Sequence, residues 1–216
     1  MNIIQRSSPN YYAGRRGYKP IAIVNHITAG PFPGCLTWLC NPESQGGSHY
    51  LVNRVGEVYQ LVAEENSAWA NGIVQKPFWP LLISGVNPNY YTLSIEHEGQ
   101  PYEPLTEKQY QATLELHMHL CKKWNIPLDR QHILGHYEID SVDRPNCPGM
   151  FFPWQRLISD LNAAANRVTV YLNGVRTEHD GLLIDGKTYV PVRFFAQELG
   201  CDVNWESTTQ SVNIKK

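Results

Sequence analysis

The run Ile21 to Ile27 (IAIVNHI) is apolar and β-branched, and it predicts a buried strand. Thr28-Ala29-Gly30-Pro31 stops it. In SHYLVNRVGEVYQLV two short alternating runs flank Asn53-Arg54-Val55-Gly56, which predicts a hairpin. A stretch rich in Asn, Gly, Pro and Trp follows from Glu64 to Asn89, and irregular segments of that length are usually functional. Tyr91 to Glu96 (YTLSIE) reads as a second central strand. Thr106 and Gln109 have the spacing of a capping box, and Tyr110, Leu114, His117, Cys121 and Trp124 recur behind them at helical spacing. That helix stops near Ile126-Pro127. A short strand over His132 to Tyr137 leads into a loop closing on Cys147-Pro148-Gly149, and a helix over Pro153 to Ala165 ends the first region.

From Arg167 the texture changes. Short strands turn at Asn173-Gly174 and Asp185-Gly186, RFFAQELG reads as a helix stopped by Gly200, and VNWESTTQSVNI reads as a strand pair. The pattern predicts an α/β protein. A mixed central sheet with helices on both faces spans residues 1–165, and a small α+β domain of ββαββ type spans residues 167–216.

Composition narrows the class. With 42% hydrophobic and 18% charged residues over 216 positions, the chain reads as globular. A formal net charge of -2 provides no basic field for nucleic acid. No apolar run approaches the roughly 18 residues of a membrane span, so no membrane insertion is expected. The opening MNIIQRSSPNYY lacks the basic and apolar regions of a secretory leader; the expectation is a chain made without one, or one whose leader was trimmed. Five cysteines at irregular spacing argue against a disulfide framework and allow a thiolate ligand.

Eight histidines are the candidates for chemistry. His26 closes a buried strand beside a loop, where it serves either as a core histidine or as a functional group. His136 and Cys147 share the segment GHYEIDSVDRPNCPG, bracketed by glycine and proline so that both can fold toward one point; the spacing alone is weakly specific. Glu96 ends an apolar strand, where partial desolvation favours a general base, and Glu98, two residues on, is the alternative on the same face. His97 alternates with Glu96 and faces away. His117 falls on the apolar helix stripe as a core histidine, His119 reads as surface, and His132 as a residue behind the site. Cys35, Cys121 and Cys201 read as small buried hydrophobes.

Taken together, IVNHITAG, SHYLVNRVGEVYQLV, AWANG, LSIEHEG and GHYEIDSVDRPNCPG resemble the zinc-dependent N-acetylmuramoyl-L-alanine amidases, a family that includes phage lysins, bacterial autolysins and animal peptidoglycan recognition proteins. The resemblance covers roughly residues 15 to 160. It implies zinc held by His26, His136 and Cys147, with Glu96 as general base and His49 and Trp69 near the substrate cleft. The fold it implies is a mixed sheet with helices on both faces and a groove over the metal.

The chain departs from the family pattern in two places. Ala70 stands where members often carry a histidine after Ala-Trp, and Pro145 stands where many carry a catalytic lysine. Arg144, one residue further back, is the candidate to stabilise the oxyanion in its place. The tail DGKTYVPVRFFAQELG resembles the N-terminal domain of copper amine oxidases, without a convincing copper set in His179 and Cys201. By analogy it helps bind the wall, and its balanced charge makes it no basic anchor.

The expected activity is hydrolysis of the bond between N-acetylmuramic acid and L-alanine of peptidoglycan, at the bacterial cell wall, as in a phage or prophage endolysin. The alternatives are a non-catalytic peptidoglycan-binding module and a cytoplasmic muropeptide-recycling amidase. Peptidoglycan is the expected partner, and the sequence does not fix oligomeric state.

Overall fold

The computed structural model describes all 216 residues and divides into two compact units, Met1–Leu161 and Asn162–Lys216. The first unit is built on a six-stranded mixed sheet. Its strands are β1 (Ile3–Gln5), β3 (Ala22–Ile27), β4 (Tyr50–Val52), β5 (Val58–Gln60), β7 (Thr92–His97) and β8 (Ile133–Gly135), in the spatial order β1-β5-β4-β7-β3-β8. Only β4 and β5 run antiparallel, as the hairpin predicted around Asn53 to Gly56; the other neighbours are parallel. β2 (Tyr11–Tyr12) and β6 (Ser67–Ala68) form a separate small ladder.

Three helices join the sheet: α1 (Gly34–Leu39), α2 (Glu107–Trp124) and α3 (Trp154–Ala165). α2 starts as the capping pattern predicts, with Thr106 Oγ1 accepting from Gln109 N. It ends on Asn125 in the left-handed region. Its buried face is set by Tyr110, Thr113, Leu116, His117, Leu120 and Cys121, whereas Leu114 and Trp124 of the predicted stripe are half-buried at its margins.

The strands of the sheet alternate in the faces they present. Ile23 on β3 and Leu93 and Ile95 on β7 pack with α2 and α3 into the larger core. On the opposite face, Ala22 and Val24 pack against Trp79 of the irregular segment and Tyr90 and Tyr91 just before β7, while Leu51 packs against α1. The even-numbered positions of β3 and β7 therefore face α1 and the irregular segment.

The second unit holds three hairpin-built sheets and one helix, α4 (Val192–Glu198). The predicted turns at Asn173-Gly174 and Asp185-Gly186 have positive φ at both central residues (52° and 80°, 49° and 74°), the geometry of tight hairpins.

His117 is completely buried in the main core. Its Nδ1–H donates to Thr113 O at 2.8 Å, and burial lowers its pKa to about 4. An unfolded histidine titrates near 6.5, so its share of stability is complete above that pH and is lost as pH falls toward about 4. Replacing His117 with Met should flatten the dependence of unfolding free energy on pH across this window by about one proton per molecule, measured by urea denaturation at stepped pH. An unchanged slope would assign the acid sensitivity to other groups.

Candidate metal centre and catalytic cleft

The sheet places the candidate residues through its register. His26 pairs with Glu96 across the parallel β3–β7 ladder, and both are even-numbered positions on the same face. β8 pairs with β3 only as far as Gly135 opposite Asn25. Ile23 N donates to His132 O on the β8 side, so by alternation Ile27 N also points that way, past the end of β8. Cys147 fills that place: its Sγ accepts from Ile27 N at 3.4 Å.

The strand predicted over His132 to Tyr137 is therefore shorter than expected. It stops at Gly135, and His136–Glu138 form a 3-10 turn. The turn is secured by Glu138 Oε1, which accepts from Gly135 N at 3.0 Å and from Arg130 Nη2 at 2.6 Å. Tyr137 N donates to Cys147 O, tying the two ligand-bearing segments together.

The result is a cluster in which one ligand atom each from His26, His136 and Cys147 lies within 4.8 Å of the others, all three residues buried. The two imidazoles meet edge to face with centroids 4.5 Å apart. His26 Nε2 is buried with no hydrogen-bond partner. Burial keeps the His26 pKa well below its ordinary value, and burial followed by the charge of Arg144 lowers His136 to about 4. Both rings are thus neutral, the form that ligates a metal. Burial, and then the charge of Glu96, pushes the Cys147 thiol up. A buried thiol, two neutral imidazoles and an orphaned ring nitrogen fit a divalent cation, which would stabilise the thiolate that burial disfavours.

Glu96 completes the cluster. Its Oε2 is buried without a partner, and burial raises its pKa to about 8, opposed by Arg144. A dication beside it would pull the value down again. Glu98, the alternative carboxylate, is committed to the backbone: Oε1 accepts from Phe32 N at 2.9 Å and Oε2 from Arg54 N at 2.7 Å. His97 faces the opposite core, with Nδ1–H donating to His26 O at 2.9 Å. His132 pairs with Asp129 at 2.8 Å, and all five cysteines are free thiols.

A cleft of about 1310 Å³ opens over this cluster. His26, Glu96, His136 and Cys147 line it, together with Arg144, Trp69 and Trp38. Arg144 is exposed on the loop after His136, where Asp140 Oδ1 accepts from Val142 N and Asp143 N. Trp69 tilts against Tyr12 at 5.5 Å, and its Nε1 has no partner.

His49 requires a correction. Expected at the substrate cleft, it is 1% exposed and lines none of it. Nδ1 accepts from Ser94 N at 3.0 Å, so Nε2 carries the proton and donates to Asn66 O at 3.1 Å, with Arg15 Nη2 3.0 Å away. Burial and the neighbouring Arg15 lower its pKa to about 3. It is a neutral bracket between β7 and the irregular segment.

Arg15 was not legible as special. It is buried and donates to Glu64 O, Tyr90 O and Thr92 O, while Arg16 beside it is exposed, and nothing in the sequence separates the two.

A mixed α/β sheet thus opens onto two imidazoles, a thiol and a desolvated carboxylate, a set able to hold a metal and move a proton. Residues 16–150 match the family model described as N-acetylmuramoyl-L-alanine amidase, and the chain belongs to that family. Residues 160–216 match the copper amine oxidase N-terminal domain. The chain is similar to N-acetylmuramoyl-L-alanine amidase A of Achromobacter lyticus, 26% identical over 175 residues that cover 72% of this chain and 90% of that protein. Its fold is similar to that of N-acetylmuramoyl-L-alanine amidase LysC from Clostridium intestinale, with a TM-score of 0.56 at 20% identity over 75% of this chain and 98% of the other. It is also similar to amidase AmiD from E. coli, solved with anhydro-N-acetylmuramic acid-L-Ala-D-gamma-Glu-L-Lys, with a TM-score of 0.55 at 25% identity over 70% and 66% of the two chains.

Gly135 is the tightest point of the centre. A Cβ there would meet the Tyr137 ring at 2.5 Å and Pro148 Cδ at 2.8 Å. Gly135→Ala should therefore lower stability by about 1–3 kcal/mol through overpacking and disturb the turn presenting His136. Chemical denaturation together with metal titration checks this; wild-type values in both would show that the turn has slack.

Proposed function

We propose that the chain hydrolyses the amide bond between N-acetylmuramic acid and L-alanine in bacterial peptidoglycan, with zinc held by His26, His136 and Cys147. The observation that carries this reading is the convergence of those three buried side chains beside the unpartnered carboxylate of Glu96 on the floor of one cleft. Family membership supports it, as does the muramoyl-peptide bound by the E. coli relative. Two nitrogens and one sulfur make a three-ligand set of the kind that leaves a coordination position open.

When bound, zinc lowers the pKa of a coordinated water and polarises the substrate carbonyl. Glu96 accepts the proton from the attacking water and passes it to the departing amine of L-alanine. Arg144, exposed on the cleft wall, donates to the oxyanion as charge develops on it. Trp69, which lines the cleft, offers the substrate an aromatic face. Ile27 N holds the Cys147 sulfur in place, and His97 holds the His26 backbone.

The substrate in this reading is the polymeric wall, and the chain acts as an endolysin, with residues 167–216 assisting wall binding. Two features support a large substrate. The cleft volume of about 1310 Å³ exceeds the roughly 300–1,000 Å³ of small-molecule pockets. The second unit also matches a domain separate from the amidase.

Glu96→Gln should keep one zinc per chain and lose about 10²- to 10⁴-fold in turnover, the range of general acid–base catalysis. His26→Ala and Cys147→Ala should lose the metal. Elemental analysis alongside amine release from purified walls reads both. Zinc retained in both ligand variants would remove the assigned site, and full turnover in Glu96→Gln would remove the proton carrier. A second comparison addresses the biology: kcat/KM on intact walls should exceed that on soluble muropeptides, and the reverse preference would make the chain a recycling enzyme.

A further inference from the structure

Five tryptophans lie in the first unit, and four are tied to the protein. Trp79 Nε1 donates to Gln131 O and its ring stacks on Tyr91. Trp124 Nε1 donates to Glu64 Oε2. Trp154 packs on Phe152 at 4.3 Å and lies under the Arg130 guanidinium. Trp69 leans on Tyr12. Trp38 is the exception. The residue is 58% exposed on α1, its ring meets no other ring or cation, and it lines the cleft over the candidate metal centre.

The wall that carries Trp38 is held firmly. Ser8 Oγ donates to Leu39 O at 2.6 Å, and Asn10 Nδ2 reaches Asn41 O at 2.9 Å and Gly46 O at 2.7 Å. Both Ser8 and Asn10 are buried. The indole is thus presented on a pre-organised edge, which limits the ordering cost of binding.

The two sides of the cleft differ in chemistry. Residues 35–47 contribute the apolar Trp38, Leu39 and Pro42 and the polar Ser44 and Gln45 to the lining, and no charged side chain. The loop after His136 contributes Asp140, Asp143 and Arg144. A neutral wall with one flat apolar face and small polar groups complements a pyranose ring, whose C–H face is apolar and whose edge carries hydroxyl and acetamido groups. On the other loop the charge free to meet a ligand is that of the exposed Arg144, since Asp140 and Asp143 accept hydrogen bonds within the protein.

We propose that Trp38 forms a saccharide subsite, stacking on an N-acetylhexosamine ring of the glycan strand next to the muramic acid whose peptide is removed. The assignment rests on the peptidoglycan reading above. The geometry gives the cleft a sugar wall on the α1 side and a peptide wall on the Arg144 side.

Binding of peptide-free peptidoglycan glycan oligomers to the full chain, measured by isothermal titration calorimetry, tests the subsite without requiring turnover. Trp38→Ala should weaken the dissociation constant by about tenfold, and Trp38→Phe, which keeps a stacking face, by less than about threefold. Thermal unfolding should be nearly the same in all three proteins, since Trp38 is largely exposed and makes no ring or cation contact. Wild-type affinity in Trp38→Ala, or no glycan binding by the wild type, would overturn the subsite. Glycan binding that depends on Trp38, with no amine release from walls by the wild type, would leave the subsite standing and remove the hydrolytic reading.

Discussion

The early end of β8 beside a longer β3 is the constraint on which the centre depends. In a continuous parallel sheet every backbone group of β3 would find a ladder partner, and no side chain could enter from that side. Because β8 leaves at Gly135, Ile27 N is freed, and the Cys147 sulfur takes the place of a strand carbonyl. The same departure turns His136 inward, edge to face with His26. A gap in the hydrogen-bond ladder thereby brings a buried thiol up to the edge of the sheet beside two imidazoles, the set proposed above to hold a metal.

Beside that gap the polar groups of β7 are mostly paired off within the protein. The cleft face of β7 alternates Thr92, Ser94 and Glu96. The first two are bound by Asn71 Nδ2 at 3.0 Å each, and Ser94 N is taken by His49. Arg15 closes the end of this polar layer by donating to carbonyls of the irregular segment and of β7. Only Glu96 is left with an unpartnered buried oxygen on that row. Buried polar groups normally find partners, and a carboxylate oxygen without one near an imidazole nitrogen without one, both facing the cleft, supports reading the pair as groups kept for a ligand.

The architecture was legible because it is written in local periodicity. The runs over 21–27 and 91–96 became β3 and β7, the hairpin around Asn53 formed, and Thr106 capped α2. Alternation also put His97 on the opposite side from Glu96 without any tertiary information. Two local patterns each had two outcomes, and tertiary contacts decided between them. His49 reads like a cleft residue in its motif, yet the irregular segment folds over it. Glu98 shares the face of Glu96 in principle, but the backbone of Phe32 and Arg54 claims both its oxygens.

The sequence by itself determined which residues lie on which face of each element, and hence the set from which a site can be drawn. Tertiary structure decided which members of that set meet. Ile27 and Cys147 are 120 positions apart, and no short-range signal encodes their contact. It follows from the strand order that places β3 between β7 and β8, and from where β8 stops. The same holds for Arg15 and Arg16, adjacent and identical in type, one buried as a clamp and the other exposed. Local sequence sets conformational preference, whereas desolvation and partner choice depend on what the rest of the chain brings alongside.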